Sequence, residues 1–185
     1  PRWGGPLPSC RAMPCWTLNE PMASHALEPL LHSTLTAYAH IILHTPWFGK
    51  EREAVSYYAF GFLAKACAPG TLLHDPGQIA MEGRMPGGPL NTKKEVCKDL
   101  VIWPAPGANC WSTERKAVHY PLAVMEWKAN SAAFFPYDLE HLASLTQQAP
   151  GMLGIAVTFD ARRKGVLRAA RVVAGQVEEG WLEVR

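Results

Sequence analysis

Cysteine is scarce in this sequence, and its placement excludes the common cysteine-based scaffolds. The 185 residues include five cysteines, at Cys10, Cys15, Cys67, Cys97 and Cys110. An odd number cannot all pair within one chain, and no two have the C-x-x-C spacing typical of zinc sites. We therefore expect reduced thiols and a cytoplasmic protein.

Long apolar runs and a strong charge of either sign are also missing. No stretch reaches the roughly 18 to 20 apolar residues that cross a bilayer, and the first residues lack the basic-then-apolar layout of an export signal. The net charge is only +2, so charge alone neither requires nor excludes a nucleic-acid partner. We expect a soluble protein that is not exported and has no membrane partner.

The chain does contain enough apolar material for one hydrophobic core. Hydrophobic residues make up 48% of its 185 residues, which suits one domain and is too little for two. Residues 1–28 are rich in Pro, Gly and Trp and have no periodicity in their first part. We predict an irregular N-terminal arm over 1–28 and a single domain over 29–185.

Periodicity and Pro or Gly breaks predict an alternating set of helices and strands. Helices are predicted over 28–46, 47–70 and 136–151, strands over 78–86, 96–104, 119–129 and 152–160, and a final hairpin over 166–184. The order α-α-β-β-β-α-β implies an α/β fold in which helices cover a mixed sheet.

Charged residues close the third predicted strand. The segment PLAVMEWK, residues 121–128, is apolar until Glu126 and Lys128. Because successive side chains of a strand point to opposite faces, we expect these two on one face and Trp127 on the other. Asp99 lies inside an apolar run of the preceding strand. Acidic side chains therefore stand on consecutive strands of the predicted sheet.

Carboxylates in such apolar surroundings need a compensating partner. Burying one alone is costly unless an ion pair or a metal offsets the lost hydration. Mg²⁺ takes one or two carboxylates together with waters and phosphate oxygens. Lys128 could then hold or deprotonate an attacking water, or steady the phosphate charge. The pattern predicts metal-assisted phosphodiester hydrolysis, and a strand-end ion pair beside an exposed acid is the alternative.

The arrangement resembles the PD-(D/E)XK nuclease superfamily, whose fold is called restriction-endonuclease-like. In that family an Asp on the second core strand and a Glu-x-Lys on the third bind metal and assist catalysis, on an α-β-β-β-α-β core. The resemblance spans roughly residues 47–160. It implies that Asp99 and Glu126 bind Mg²⁺, with Mn²⁺ as a substitute, and that Lys128 assists. Lys98 stands where the motif's name has Pro, and would not matter if it faced away.

Many members of that family add a Glu from the first core helix, and this chain offers two. Helical spacing places Glu51 on the same face as Val55 and Tyr58. Glu53 points about 200 degrees away from Glu51. We expect Glu51 to be the helix acid, and its alternative role is to complement the positive end of the helix.

Context separates two matches to the short Glu-x-Lys pattern. Glu114 and Lys116 lie in the polar segment WSTERKAV, which is typical of a solvated loop. Glu82, in the first predicted strand, is either a further site acid or a plain face charge that pairs with Arg84, and we favour the plain charge. Neither feature is expected to take part in chemistry.

Other clusters supply alternatives. The basic turn at Arg162, Arg163 and Lys164 is a candidate for phosphate contacts, as is the group Lys93, Lys94 and Lys98. His40 and His44 have the i, i+4 spacing of zinc ligands, but no Glu follows the first His, and a solvated pair is the simpler interpretation.

The resemblance implies a metal-dependent DNA endonuclease, and a homodimer if both strands of a duplex are cut. The alternative is a catalytically inactive module that binds nucleic acid or a protein on the same fold. A zinc enzyme built on His40 and His44 is a third hypothesis.

Overall fold

The computed structural model describes residues 22–45, 47, 49–87 and 94–185. Its order of elements is the predicted one. The elements are α1 (Met22–Ile42), α2 (Glu51–Tyr58), β1 (Ile79–Pro86), β2 (Glu95–Ile102), β3 (Ala123–Ala129), α3 (Pro136–Gln148), β4 (Leu153–Asp160), β5 (Val166–Val173) and β6 (Gln176–Val184). A π turn over Ala59–Leu63 and a 3₁₀ turn over Ala64–Ala66 extend α2.

Helix α1 begins earlier than predicted. It starts at Met22 and carries Pro29 in its interior, so the predicted irregular arm is helical over its last seven residues, 22–28. Leu27, Leu31 and Leu35 are buried at a spacing of four residues. This apolar stripe extends the helix past the proline, because packing of an amphipathic face outweighs local propensity. Residues 1–21 lie outside the described part of the chain.

Six strands form one sheet in the order β1-β2-β3-β4-β5-β6. Neighbouring strands are antiparallel except β3 and β4, which are parallel and are connected through α3. The prediction of a mixed α/β fold is thus confirmed, with a sheet that is mostly antiparallel. The antiparallel meander β1-β2-β3 brings the strands of Asp99 and Glu126 side by side.

Helices cover both faces of the sheet. On one face, α1 and α2 pack on a cluster that includes Tyr38, Tyr58 and Trp127. On the other face, α3 packs on a second cluster that includes Leu142 and Val124. Helix α1 is 21 residues long, yet no helix among the described residues combines the length and apolarity needed to cross a membrane.

Candidate active site

Strands β2 and β3 separate at the predicted site. Their pairing runs from Ile102–Ala123 to Leu100–Met125. Beyond it, a side chain takes over from the backbone, because Oδ2 of Asp99 accepts the N–H of Trp127 at 2.7 Å. Asp99 therefore supports the backbone of the Glu-x-Lys segment directly.

Glu126 is buried beside Asp99, with an exposed fraction of 9%. Its carboxylate forms an ion pair with the ammonium group of Lys98, which is itself only 4% exposed. Burial raises the pKa of Glu126 to about 7. Lys98 opposes this rise, while the charges of Asp99 and Asp138 add to it.

Lys98 connects Glu126 to a buried histidine. Nζ of Lys98 lies 2.7 Å from Nδ1 of His141, whose Nε2 lies 3.3 Å from the carbonyl oxygen of Gly87. An ammonium group can only donate, so Nδ1 accepts and Nε2 carries the proton. Burial, and then the charge of Lys98, lowers the pKa of His141.

Lys98 is thus part of the site rather than facing away from it. It is buried, so it does not belong to an exposed basic group with Lys94, and Lys93 lies outside the described residues. Lys98 and Asp99 point to opposite faces, as strand alternation predicts, because Lys98 contacts His141 of α3 whereas Asp99 lines the cleft beside α2. Neither Lys98 nor its partner His141 was identified from the sequence, because the site was expected on the side of Asp99.

Lys128 is held between two carboxylates from different helices. Its Nζ lies 3.5 Å from Oε1 of Glu51 and 3.4 Å from Oδ2 of Asp138, and it donates to the carbonyl oxygen of Trp127 at 2.8 Å. Burial alone would lower the pKa of Lys128, but the charges of Asp138, Glu51 and Asp99 outweigh it and raise the pKa. Lys128 is therefore an ammonium ion at neutral pH and is unsuited to deprotonating water. No sequence signal distinguished Asp138, because an acid in the first turn of a helix is common.

Of the two helix acids, Glu51 is the one at the site. Its Oε2 accepts the N–H of Ala129 at 3.2 Å, and it lines a cleft of about 260 Å³ with Asp99. Glu53 instead accepts the N–H of Lys50 at 2.8 Å and so caps its own helix. Glu51, which helical spacing favoured as the helix acid, is thus the one that lies near Lys128.

Glu82 lines the same cleft, and its ion-pair partner is Arg52 rather than Arg84. Its backbone has φ of +50°, which is uncommon for a residue with a side chain. The described lining of the cleft contains Asp99 and Glu51 but not Glu126, which lies on the side of Lys98 and α3.

The donors at the site are of the type that Mg²⁺ prefers. Within the described ranges, no group of three or more His, Cys, Asp or Glu side chains is arranged to hold a metal ion. Mg²⁺ needs only one or two carboxylates when waters and phosphate oxygens complete its shell. One oxygen of Asp99 and one of Glu126 already accept protein donors. The chemistry of these donors therefore suits Mg²⁺, and a cation bound here would use the remaining oxygens of Asp99 and Glu126 with waters and phosphate oxygens.

The histidine pair has another role in the structure. Nδ1 of His44 lies 2.7 Å from the carbonyl oxygen of His40, so one ring is engaged with the backbone of α1. Both side chains are exposed. The solvated pair is the interpretation that fits this geometry.

The basic turn lies at the same edge of the sheet as the candidate site. Because β3 and β4 are parallel, Ala129 pairs with Phe159, and the turn with Arg162, Arg163 and Lys164 follows β4 directly. All three side chains are exposed. Nε of Arg162 donates to the carbonyl oxygen of Trp47 at 3.0 Å, just ahead of α2.

The second Glu-x-Lys match is a surface feature. Lys116 and Glu114 form an exposed ion pair at 2.8 Å, with 74% and 70% of their side chains accessible. It provides a matched comparison for Lys128 and Glu126.

Comparison of the chain with models of known protein families, with curated proteins and with solved structures finds no match. Function is therefore inferred from the residues themselves.

Proposed function

We propose that this protein is a metal-dependent nuclease of the restriction-endonuclease-like fold that hydrolyses phosphodiester bonds in DNA. The order of elements supports the fold, since an antiparallel meander is followed by a crossover helix and a parallel strand. The observation that carries the proposal is the grouping of Asp99, Glu126 and Lys128 where β2 and β3 separate.

Asp99 and Glu126 would hold the metal. Bound there, Mg²⁺ would supply a Lewis acid for the phosphate and a water of lowered pKa. The chain's own residues do the rest by position and charge. Asp99 fixes the backbone at Trp127, and this orients the residues on either side of it.

Lys128 acts as a fixed positive charge. Glu51 and Asp138 hold its ammonium group, and their charges keep it protonated. It can donate a hydrogen bond to the attacking water or to a phosphate oxygen, where negative charge grows in the transition state. The side chains of Arg163 and Lys164 in the exposed turn would contact the flanking phosphates.

The direct test incubates the purified protein with supercoiled plasmid, linear duplex, single strand, a four-way junction and RNA. Each is tested with Mg²⁺, Mn²⁺ or EDTA. Glu126→Ala should abolish cutting, whereas the matched surface variant Glu114→Ala should cut like the original protein. Cutting that survives Glu126→Ala, or that persists in EDTA, would exclude the proposed site.

Two observations favour a second candidate, an inactive nucleic-acid-binding module on the same fold. Lys98 neutralises Glu126 without a metal, and Glu126 is absent from the described lining of the cleft. This candidate predicts DNA binding that is the same in Mg²⁺ and EDTA and is unchanged by Glu126→Ala. Metal-dependent cutting would exclude it.

A further inference from the structure

A groove on the far side of β1 is lined by aromatic and basic side chains. It has a volume of about 620 Å³, and its walls include Trp103, Trp111, Arg84, Arg115 and Asn109. That volume is within the roughly 300 to 1,000 Å³ typical of ligand pockets. We call it the aromatic groove.

The aromatic groove and the cleft of Asp99 meet around one edge of the sheet. Met81 and Glu82 line both. The cleft lies on the face covered by α2, and the groove lies on the opposite face, where Trp111 packs against the second core cluster. β1 is the edge strand, so a ligand in both would turn around a single strand.

The charges of the groove suit a phosphate chain. Arg84 and Arg115 are exposed, and no ion pair joins either of them to another described residue. Of the two carboxylates in the wall, Glu82 is already neutralised by Arg52, which leaves Glu95. Trp111 is half-buried, so its indole is fixed by packing while part of it stays accessible.

We infer that the aromatic groove binds unpaired nucleotides and that the substrate of the cleft is single-stranded nucleic acid. A duplex has a persistence length of about 50 nm and does not fold around one strand edge. A single strand can follow that path, with a base stacked on Trp111 and phosphates near Arg84 and Arg115. This inference deepens the proposed nuclease function and rests on it.

Binding without cutting tests the groove by itself. Fluorescence anisotropy in EDTA would compare a labelled single strand of about 20 nucleotides, which is longer than the roughly 4 to 16 nucleotides bound by an OB fold, with a duplex of the same sequence. We expect the single strand to bind about tenfold more tightly, and Trp111→Ala to remove about that factor. Trp111→Phe should keep most of the affinity, because a phenyl ring also stacks.

The control is Arg185→Ala. Arg185 is exposed and directly follows β6, the strand at the edge of the sheet opposite β1. This variant should bind like the original protein. If circular dichroism shows that Trp111→Ala is unfolded, the double variant Arg84→Ala/Arg115→Ala replaces it. For that variant, the slope of log affinity against log salt should be smaller by about 1.4. Equal affinity for single strand and duplex, no binding, or full affinity in the groove variants would overturn the inference.

The outcomes also separate the two proposals. Metal-dependent cutting of duplex that is unaffected by Trp111→Ala would support the nuclease function and exclude nucleotide binding in the aromatic groove. Single-strand binding that depends on Trp111, with no cutting in any metal, would support nucleotide binding in the aromatic groove and exclude the nuclease function.

Discussion

At the scale of single residues, the ion-pair partners of each charged side chain determine whether it can contact a substrate. Lys98 and Lys128 have the same side chain but different surroundings. Lys98 is buried between Glu126 and His141. Lys128 is about a quarter exposed, at 28%, and lies between Glu51 and Asp138. Only Lys128 can therefore meet a substrate without first breaking a buried ion pair.

Replacement of Lys128 by Ala should lower cutting by roughly 10² to 10³, the loss seen when one transition-state donor is removed. Lys128→Arg should keep part of the rate, because the charge remains. Lys116→Ala is the matched control and should cut normally. Initial rates with plasmid or oligonucleotide would measure this, and an unimpaired Lys128→Ala would remove the lysine from the mechanism.

Glu126 should make stability depend on pH. Its pKa is raised in the folded protein to about 7 from 4.5. The folded state therefore binds more protons than the unfolded state between these values, and the contribution of Glu126 to stability is lost as pH rises through about 7.

His141 works in the opposite direction, because its pKa is lowered in the folded protein. The contribution of His141 to stability grows as pH rises. Glu126→Gln also contains His141, so comparing the two proteins isolates the effect of Glu126. Urea unfolding from about pH 5 to about pH 8 should show the original protein losing stability relative to Glu126→Gln. Glu140→Gln, an exposed change on α3, should not alter the profile. If the difference in stability between the original protein and Glu126→Gln stays constant across pH, the raised pKa of Glu126 is contradicted.

At the scale of elements, the decisive feature is the end of the β2–β3 ladder. A carboxylate replaces a backbone carbonyl at that point, and β3 continues to pair with β4 on its other side. The sheet thus stays continuous while a gap opens for the site. Helices α2 and α3 then approach Lys128 from the two faces through Glu51 and Asp138.

Asp99→Ala should destabilise the protein by about 1 to 3 kcal/mol, because the buried N–H of Trp127 loses its acceptor. Asp99→Asn should cost less, since an amide oxygen can accept. The control is Asp75→Ala, which removes an exposed acceptor with the same 2.7 Å distance to a backbone N–H. Unfolding in urea would compare the three, and equal losses for Asp99→Ala and Asp75→Ala would contradict the structural role of Asp99.

The β5–β6 hairpin contains a residue that its backbone disfavours. Ala174 and Gly175 have φ of +48° and +81°, and tight hairpins with two positive φ values favour Asn-Gly. Ala174→Asn should therefore stabilise the protein by up to about 1 kcal/mol, since the left-handed conformation costs Ala roughly 1 to 2 kcal/mol. Thermal unfolding measures this. A lowered midpoint would show that the turn is held by other contacts.

At the scale of the whole molecule, affinity for a nucleic acid must come from local charge. A net charge of +2 produces little long-range attraction, so exposed basic clusters decide binding. The basic turn lies beside the candidate site because the parallel strands β3 and β4 end at one edge. Position, rather than total charge, makes Arg163 and Lys164 candidates for phosphate contacts.

Arg163→Ala/Lys164→Ala should weaken DNA binding at low salt and reduce the slope of log affinity against log salt by about 1.4 to 1.8, for two phosphate contacts. Arg185→Ala serves again as the control. An unchanged slope would mean that the turn does not touch phosphates.

Several parts of the structure were predictable because they depend on local pattern. The strand of Asp99 was predicted within two residues of its ends, and the strand of Glu126 ends where predicted but begins four residues later. Apolar runs bounded by Pro and Gly are short-range signals. The choice of Glu51 over Glu53 followed from helical spacing, which places only one of them on the buried face. The early start of α1 was missed, because Pro29 favours the first turn of a helix, whereas packing extends this helix to Met22 ahead of the proline.

By itself, the sequence determined the order of the elements, the mixed α/β class and the strands that carry acids, because each follows from periodicity over a few residues. Tertiary structure alone decided that Lys98 pairs with Glu126, that His141 and Asp138 join the site, and that the aromatic groove meets the cleft. These contacts join residues 10 to 43 positions apart in sequence, and they depend on how far β2 separates from β3 and where α3 crosses the sheet. No local pattern encodes those distances, which only packing sets.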